Sequence, residues 1–176
     1  MLLDNKEFLN LLMIKQNKAI FLDRDGVLNK NRDDYVKTLN ELDIFPEIGK
    51  CIKMINDRNY LAIVITNQSA IARKLTTQNE VEKIHKYIQN FLKKWNAKID
   101  AFYYCPHHPD DNCVCRKPQP GLILQAAHDF NIDLKKSWMI GDHDRDIQSG
   151  VNAGCQTIKI SSNDSLEKII YKIFQC

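Results

Sequence analysis

Ala19-Ile20-Phe21-Leu22-Asp23-Arg24-Asp25-Gly26-Val27 is the stretch on which the fold turns. Its first four residues are apolar and predict a strand, and the residues that follow end it. Two carboxylates, Asp23 and Asp25, then stand two positions apart where ladder pairing stops. Close like charges are costly without a cation, and the carboxyl end of a parallel strand is where α/β folds carry their chemistry. A hard cation such as Mg²⁺ suits this setting, because it takes one or two carboxylates together with substrate phosphate oxygens. An ordinary acidic turn bent at Gly26 would show the same letters, so the neighbouring segments decide between the two.

Outward from this strand, helix-like and strand-like segments alternate. Pro46 to Arg58 reads as a helix with Ile48, Cys51, Ile52 and Ile55 on one face, and Pro46 suits its first turn. Tyr60 to Ile65 is a near-continuous apolar run, as expected of a strand buried on both faces. Thr77 to Trp95 reads as a longer helix, Ile99 to Tyr104 as a strand and Pro120 to Phe130 as a helix. Trp138 to Ile140 is the next strand, Asp144 to Asn152 a helix, Thr157 to Ile160 the last strand and Ser165 to Phe174 the last helix. This βαβαβ order predicts an α/β fold, a three-layer α/β/α sandwich around a central parallel sheet. Residues 18–176 leave no room for a large cap domain. The long non-periodic segments Asn29 to Leu42 and Cys105 to Gln119 are the places to look for function.

Polar residues cluster at the ends of successive predicted strands. Asp23 and Asp25 follow the first, and Thr66, Asn67, Gln68 and Ser69 the second. The third leads into a Cys/His loop ending in Arg116-Lys117-Pro118, and the fourth into Gly141, Asp142, His143 and Asp146. In a parallel sheet these ends converge in space. Each residue type fits phosphoryl transfer. One aspartate can be a nucleophile, a second can move the proton, and a third can complete a Mg²⁺ site. A hydroxyl, backbone amides and a lysine can stabilise the transferring charge. Thr66 or Ser69 as an ordinary helix cap is compatible with this, since helix N-termini also bind phosphate.

Cys105-x-His107-x5-Cys113-x-Cys115 offers three thiolates and an imidazole, bracketed by Pro106 and Pro109. That pattern predicts a closed, tetrahedral Cys₃His zinc site with a structural task, since no coordination position is left open. Unrelated thiols, or a Cys113–Cys115 disulfide, are the alternatives, the latter awkward at that spacing. Spacing alone does not choose between His107 and His108. Cys51 and Cys155 lie in apolar surroundings and read as buried thiols.

The chain has 176 residues, 44% hydrophobic and 27% charged, which suits one compact domain with a full core. A net charge of +3 indicates no dedicated nucleic-acid surface, and no apolar stretch approaches the length of a membrane span. Neither nucleic acid nor membrane is an expected partner. Residues 1–17 read as an N-terminal extension forming a short amphipathic helix. Acidic Asp4 and Glu7, without a small-residue cleavage site, argue against a secretory signal, so a cytoplasmic protein is expected.

The blocks "FLDRDGVLN", "TNQSAIAR", "CPHHPDDNCVCRKPQPG" and "GDHDRD" together resemble the haloacid dehalogenase superfamily. Within it they are most similar to the D-glycero-D-manno-heptose 1,7-bisphosphate phosphatases, from about Lys18 to Lys159. The resemblance implies a Mg²⁺-dependent sugar bisphosphate phosphatase of ADP-heptose and lipopolysaccharide core synthesis, acting as a monomer through an aspartyl-phosphate. Asp23 would be the nucleophile and Asp25 the general acid/base. Asp23, Asp142 and the Asp25 backbone carbonyl would hold Mg²⁺. Thr66 and Lys117 would stabilise the phosphoryl group, and Asp146 would support the metal loop. Arg32, Asp33, Asp34, Tyr35, Thr66, Asn67, Gln68, Ser69, Arg116, Lys117 and His143 would face the sugar phosphate. Cys105, His107, Cys113 and Cys115 would bind Zn²⁺ and so place Arg116 and Lys117.

Three positions depart from the pattern. Ala70 and Lys74 stand where the family usually has glycines, and His143 where it often has lysine. The loop after Asn29 also reads one residue longer. These changes lie near the substrate rather than the nucleophile. Histidinol-phosphate phosphatase is the alternative enzyme, disfavoured by Ser69-Ala70-Ile71-Ala72-Arg73. A non-catalytic zinc module binding nucleic acid is the alternative of another class, but it would have no use for Asp23, Asp25 and Asp142.

Overall fold

β1 (Lys18–Leu22) lies at the centre of the sheet, and its composition follows from that place. Ala19 and Phe21 point into one apolar layer, Ile20 and Leu22 into the other, and all four are fully buried. A strand covered on both faces has no use for polar alternation. The computed structural model describes residues 15–161 and 164–175. The helix expected in the N-terminal extension therefore falls almost wholly outside the described residues, as does Cys176.

Among the described residues the strands and α-helices run, in chain order, β1, α1 (Ile48–Asp57), β2 (Tyr60–Asn67), α2 (Gln78–Leu92), β3 (Ala101–Cys105), α3 (Gly121–Asp129), β4 (Trp138–Gly141), α4 (Asp144–Ala153), β5 (Gln156–Lys159) and α5 (Leu166–Phe174). The sheet is parallel throughout, in the order β3-β2-β1-β4-β5. The chain winds outward through β2 and β3, then crosses to β4 on the other side of β1. That reversal opens a crevice at the carboxyl ends of β1 and β4, where open α/β sheets bind ligands. The register carries Leu22 beside both Val64 and Ile140, so the residues after these three strands emerge together.

The expected three-layer architecture is present. α1, α2 and α5 pack on Ile20, Leu22, Ala62, Val64 and Ile140. α3 and α4 pack on Ala19, Phe21, Ile63, Ile65 and Met139. In α1 the buried face is Ile48, Cys51, Ile52 and Ile55, with Gly49 beneath the Trp95 indole, where a Cβ would come within 2.0 Å of the ring. Thr77 caps α2 by accepting from Glu80 N at 3.2 Å, and Ser165 caps α5 by accepting from Lys168 N at 3.3 Å.

Boundaries moved where local chemistry competes with the repeat. α2 stops at Leu92 instead of reaching Trp95, because Lys93–Trp95 tightens into a 3₁₀ turn ending at left-handed Asn96, φ 49°. β3 starts at Ala101 rather than Ile99, since the Asp100 carboxylate accepts from Ala62 N at 2.9 Å. Cys51 is buried as expected, whereas Cys155 is only partly buried. Among the described residues no helix is long and apolar enough to cross a membrane.

Candidate active site

The carboxyl end of β1 continues the ladder for one more bond, from Asp23 N to Ile140 O at 3.0 Å, and then turns sharply. Gly26 makes that turn with φ +85°, and a Cβ there would lie 2.2 Å from Asp142 Oδ2. Glycine is required twice over, for the backbone sign and for the approach of the Asp142 carboxylate.

Beneath the turn, Lys117 reaches in from the loop after β3 and is almost wholly buried. Its ammonium pairs with Asp23 Oδ1 at 2.9 Å and Asp146 Oδ1 at 2.7 Å, and donates to Ile65 O at 2.8 Å. The Ile65 contact is a hydrogen bond and the two carboxylate contacts are ion pairs, Asp146 Oδ1 having no hydrogen-bond partner. Asn67 fixes the Lys117 backbone, its Oδ1 accepting from Lys117 N at 3.0 Å and its Nδ2 donating to Lys117 O at 3.1 Å. Burial raises the Asp23 carboxyl to about 6, against the opposing pull of Lys117 and with a further push from Asp146.

Asp25 is held differently. Burial would raise it, but the Arg24 guanidinium, Asn29 and Gln68 together hold it below the usual carboxylate range. Arg24 Nη2 lies 2.8 Å from Asp25 Oδ2, Asn29 Nδ2 donates to Oδ1 at 2.9 Å, and Gln68 Nε2 donates to Oδ2 at 3.0 Å. Gln68 Nε2 also donates to Thr66 Oγ1 at 2.9 Å, which leaves the Thr66 hydroxyl proton free for a ligand.

The floor therefore gathers four carboxylates, Asp23, Asp25, Asp142 and Asp146, around two buried cations, Arg24 and Lys117. His143 Nδ1 lies 2.8 Å from Asp142 Oδ1 but out of line for a hydrogen bond, so this buried oxygen has no hydrogen-bond partner. The excess negative charge, the orphaned oxygen and the all-oxygen donor set fit a hard divalent cation. Asp142, His143 and Asp146 have donor atoms within 4.8 Å of one another. Asp146 is nevertheless committed to Lys117 and, through Oδ2, to His143 N at 2.9 Å, so it braces the loop.

Above the floor opens a cleft of about 300 Å³, lined by Asp23, Asp25, Asn31, Arg32, Asp33, Tyr35, Val36, Thr66, Asn67, Ser69, Arg116 and Arg145. Most residues expected at the substrate are here. Four are not. Asp34 points outward in an ion pair with Lys37 and, at 3.3 Å, with Arg32. Gln68 is buried among Arg24, Asp25 and Thr66 because its amide is consumed there. Lys117 lies under the floor, and His143 beside Asp142 outside the lining. Arg145 was not anticipated, and its only signal was a basic residue in the acid-rich "GDHDRD" run. Of the two departures from glycine, Lys74 sits at φ 58° and so occupies a left-handed position. Ala70 is buried and is not among the positive-φ residues, so this position does not call on the backbone freedom of glycine.

Cys105, His107, Cys113 and Cys115 present four donor atoms within 4.8 Å of one another, a group able to hold a metal ion. The Sγ atoms lie 3.2–3.6 Å apart, well beyond the roughly 2.05 Å of a disulfide. His107 Nδ1 is 3.1 Å from Cys115 Sγ, whereas His108 turns away and its Nδ1 accepts from Asp110 N at 3.4 Å. Burial raises the Cys105 thiol, while the neighbouring thiols offset burial at Cys113 and bring it down to about 7. Soft donors so arranged suit zinc. The loop closes where Gly121 N donates to Val114 O at 3.1 Å, two residues before Arg116.

The HAD-hydrolase-like family model matches residues 114–170. The D-glycero-beta-D-manno-heptose-1,7-bisphosphate 7-phosphatase of Helicobacter pylori strain J99 is 42% identical over 142 residues, 80% of this chain and 81% of that protein. The D-glycero-alpha-D-manno-heptose-1,7-bisphosphate 7-phosphatase of Campylobacter jejuni is 36% identical over 160 residues, 91% of each. The crystal structure of D,D-heptose 1,7-bisphosphate phosphatase from B. bronchiseptica, complexed with magnesium and phosphate, superposes with a TM-score of 0.83 at 30% identity, covering 90% of this chain and 98% of that one. With identity on this scale across nearly the whole fold, the chain belongs to the heptose-1,7-bisphosphate 7-phosphatase family of HAD-like phosphatases.

Proposed function

We propose that this protein removes the 7-phosphate from D-glycero-D-manno-heptose 1,7-bisphosphate in ADP-heptose synthesis, as a Mg²⁺-dependent cytoplasmic enzyme working through an aspartyl-phosphate. The observation that carries the reading is the buried Asp23–Lys117 pair, 2.9 Å apart, at the floor of a cleft whose walls bear arginines. Asp23 attacks phosphorus, forming the Asp23–phosphoryl bond as the bond to the sugar oxygen breaks. Asp25 gives that oxygen its proton, for which it must arrive protonated and release Arg24. It then takes a proton from water, whose oxygen displaces the phosphoryl group and frees Asp23. Its resting form, gripped by Arg24, Asn29 and Gln68, is the base this second half needs.

Thr66, which shares the cleft lining with Asp23, and Lys117, ion-paired with Asp23, would stabilise the charge that develops on the phosphoryl oxygens. Asp23, Asp142 and the Asp25 carbonyl would hold Mg²⁺, which when bound neutralises phosphate charge and brings the two anions together. Zinc on Cys105, His107, Cys113 and Cys115 would hold the loop that carries Arg116 and Lys117. Arg32, Asp33, Tyr35, Asn67, Ser69 and Arg116 would contact the sugar phosphate.

Phosphate release from both anomers of the bisphosphate and from histidinol phosphate is the test, with Mg²⁺ and after dialysis into Mg²⁺-free buffer. The expected result is preference for a heptose bisphosphate and activity restored by Mg²⁺. Preference for histidinol phosphate would overturn the substrate assignment, and no hydrolysis of any phosphate ester would overturn the enzyme.

A further inference from the structure

A substrate with two phosphates poses an electrostatic problem that the machinery above does not solve. The phosphoryl group on Asp23 meets Thr66 and Lys117, but the second phosphate must rest elsewhere in the cleft with its charge compensated. Lys117 is not available to it, because it lies buried beneath the nucleophile, ion-paired with Asp23 and Asp146 and outside the cleft lining. Arg32 already shares its charge with Asp34 through Nε at 3.3 Å. Two guanidinium groups of the lining remain. Arg116 is half-buried, and its Nη1 is buried without a hydrogen-bond partner. Arg145 lines the same cleft.

Arg145 is isolated in a way its sequence would not suggest. It is flanked by Asp144 and Asp146, and either could have paired with it. Asp144 instead pairs with Lys159 at 2.6 Å, and Asp146 with Lys117 at 2.7 Å. Among the described residues Arg145 has neither an ion pair nor a hydrogen bond to its side chain. It is also the second residue of α4, where the helix dipole disfavours a cation. Its side chain is exposed, and with both neighbouring carboxylates drawn away its charge is free to meet an anion in the cleft. His143, standing where a longer lysine is usual, turns toward Asp142 and does not line the cleft.

We infer that Arg145 and Arg116 together bind the phosphate that is not transferred, and that Arg145 makes this chain selective for bisphosphates over monophosphates. The inference rests on the proposed bisphosphate substrate. Two planar guanidinium forks, one from the loop after β3 and one from the first turn of α4, suit the oxygens of one phosphate, and Arg145 adds a charge to the cleft where His143 turns away from it.

The experiment compares kcat/KM for heptose 1,7-bisphosphate and heptose 7-phosphate in wild type, Arg145→Gln and Arg145→Lys. In Arg145→Gln the preference for the bisphosphate should fall about ten- to hundredfold, the range for losing a charge-assisted hydrogen bond, mainly through KM. Arg145→Lys should recover part of it, and added salt should erode the preference in wild type more than in Arg145→Gln. An unchanged preference in Arg145→Gln, or an equal loss with both substrates, overturns the assignment. A wild-type enzyme without preference between the two substrates overturns the bisphosphate reading itself, and the assignment with it.

Discussion

Asn67 grips the Lys117 peptide from both sides, accepting from its N–H at 3.0 Å and donating to its carbonyl at 3.1 Å. One side chain at the end of β2 thereby sets the position of a lysine fifty residues later in the chain, and with it the ammonium beside Asp23.

Asn67→Ala removes both bonds and leaves the Lys117 N–H and carbonyl unpaired, at a cost of about 1–3 kcal/mol for a partly buried pair. The protein should still fold. Lys117 should lose its register with Asp23, and kcat should fall about tenfold to a thousandfold while KM changes less. Steady-state kinetics with a thermal melt checks this. A variant that lost only KM would mean that Asn67 acts on the substrate and not through Lys117.

The position of Asp23 also makes a statement about stability. Its folded-state pKa, about 6, lies above the ordinary 3.8, so the folded protein binds this proton more tightly than the unfolded chain does. The effect favours folding below pH 3.8 and is lost as pH rises through 6, when the buried carboxylate must carry its charge. Asp23→Asn avoids that charge and retains Asp146 as the Lys117 partner. With Mg²⁺ supplied the variant should be inactive, and in Mg²⁺-free buffer at pH 7.5 it should be more stable than wild type by about 2–3 kcal/mol, with the gap closing toward pH 4. Chelators are unsuitable here because they would also challenge the Cys/His centre. Denaturant melts across this pH range, showing a constant gap or none, would contradict the raised pKa.

The sequence made the strand ends legible because four polar clusters punctuated an otherwise apolar sheet. Asp23, Asp25, Thr66 and Asp142 could be placed together from parallel topology alone. What it could not show is which polar atoms were already spent. Asn67 and Gln68 looked like substrate contacts, yet Gln68 is consumed by Asp25 and Thr66 and Asn67 divides itself between the cleft and Lys117. Asp34 was grouped with Arg32, Asp33 and Tyr35, but left-handed Tyr35, φ 69°, turns the chain so that neighbours diverge. Arg145 escaped notice because its exposure depends on Asp144 and Asp146 pairing with Lys159 and Lys117, which are distant in sequence.

The Cys/His centre makes a separate prediction. Cys113→Ser replaces one of four donors with a hydroxyl that binds zinc poorly. Zinc content measured by mass spectrometry should fall below half an equivalent, and hydrogen exchange should show residues 105–119 losing protection before the sheet does. Activity should drop at least a hundredfold, since Arg116 and Lys117 hang on that loop. A zinc-free variant with wild-type turnover would separate the centre from catalysis.

Gly26 and Asp142 supply the sharpest test of the metal site. In Gly26→Ala the new Cβ would lie 2.2 Å from Asp142 Oδ2, at a backbone φ of +85° that alanine resists. The left-handed backbone alone costs about 1–2 kcal/mol, which a domain of this size tolerates. The larger effect is local, because either the turn that presents Asp23 and the Asp25 carbonyl moves, or the Asp142 carboxylate does. The Mg²⁺ concentration giving half-maximal activity should therefore rise at least tenfold, while Lys117, held from below by Asp146 and Ile65 O, keeps its place. Activity titrated with Mg²⁺ measures this directly. If half-saturation stayed at the wild-type value while the melting temperature fell, Gly26 would be needed only by the turn, and Asp142 would have to be released from the proposed metal set.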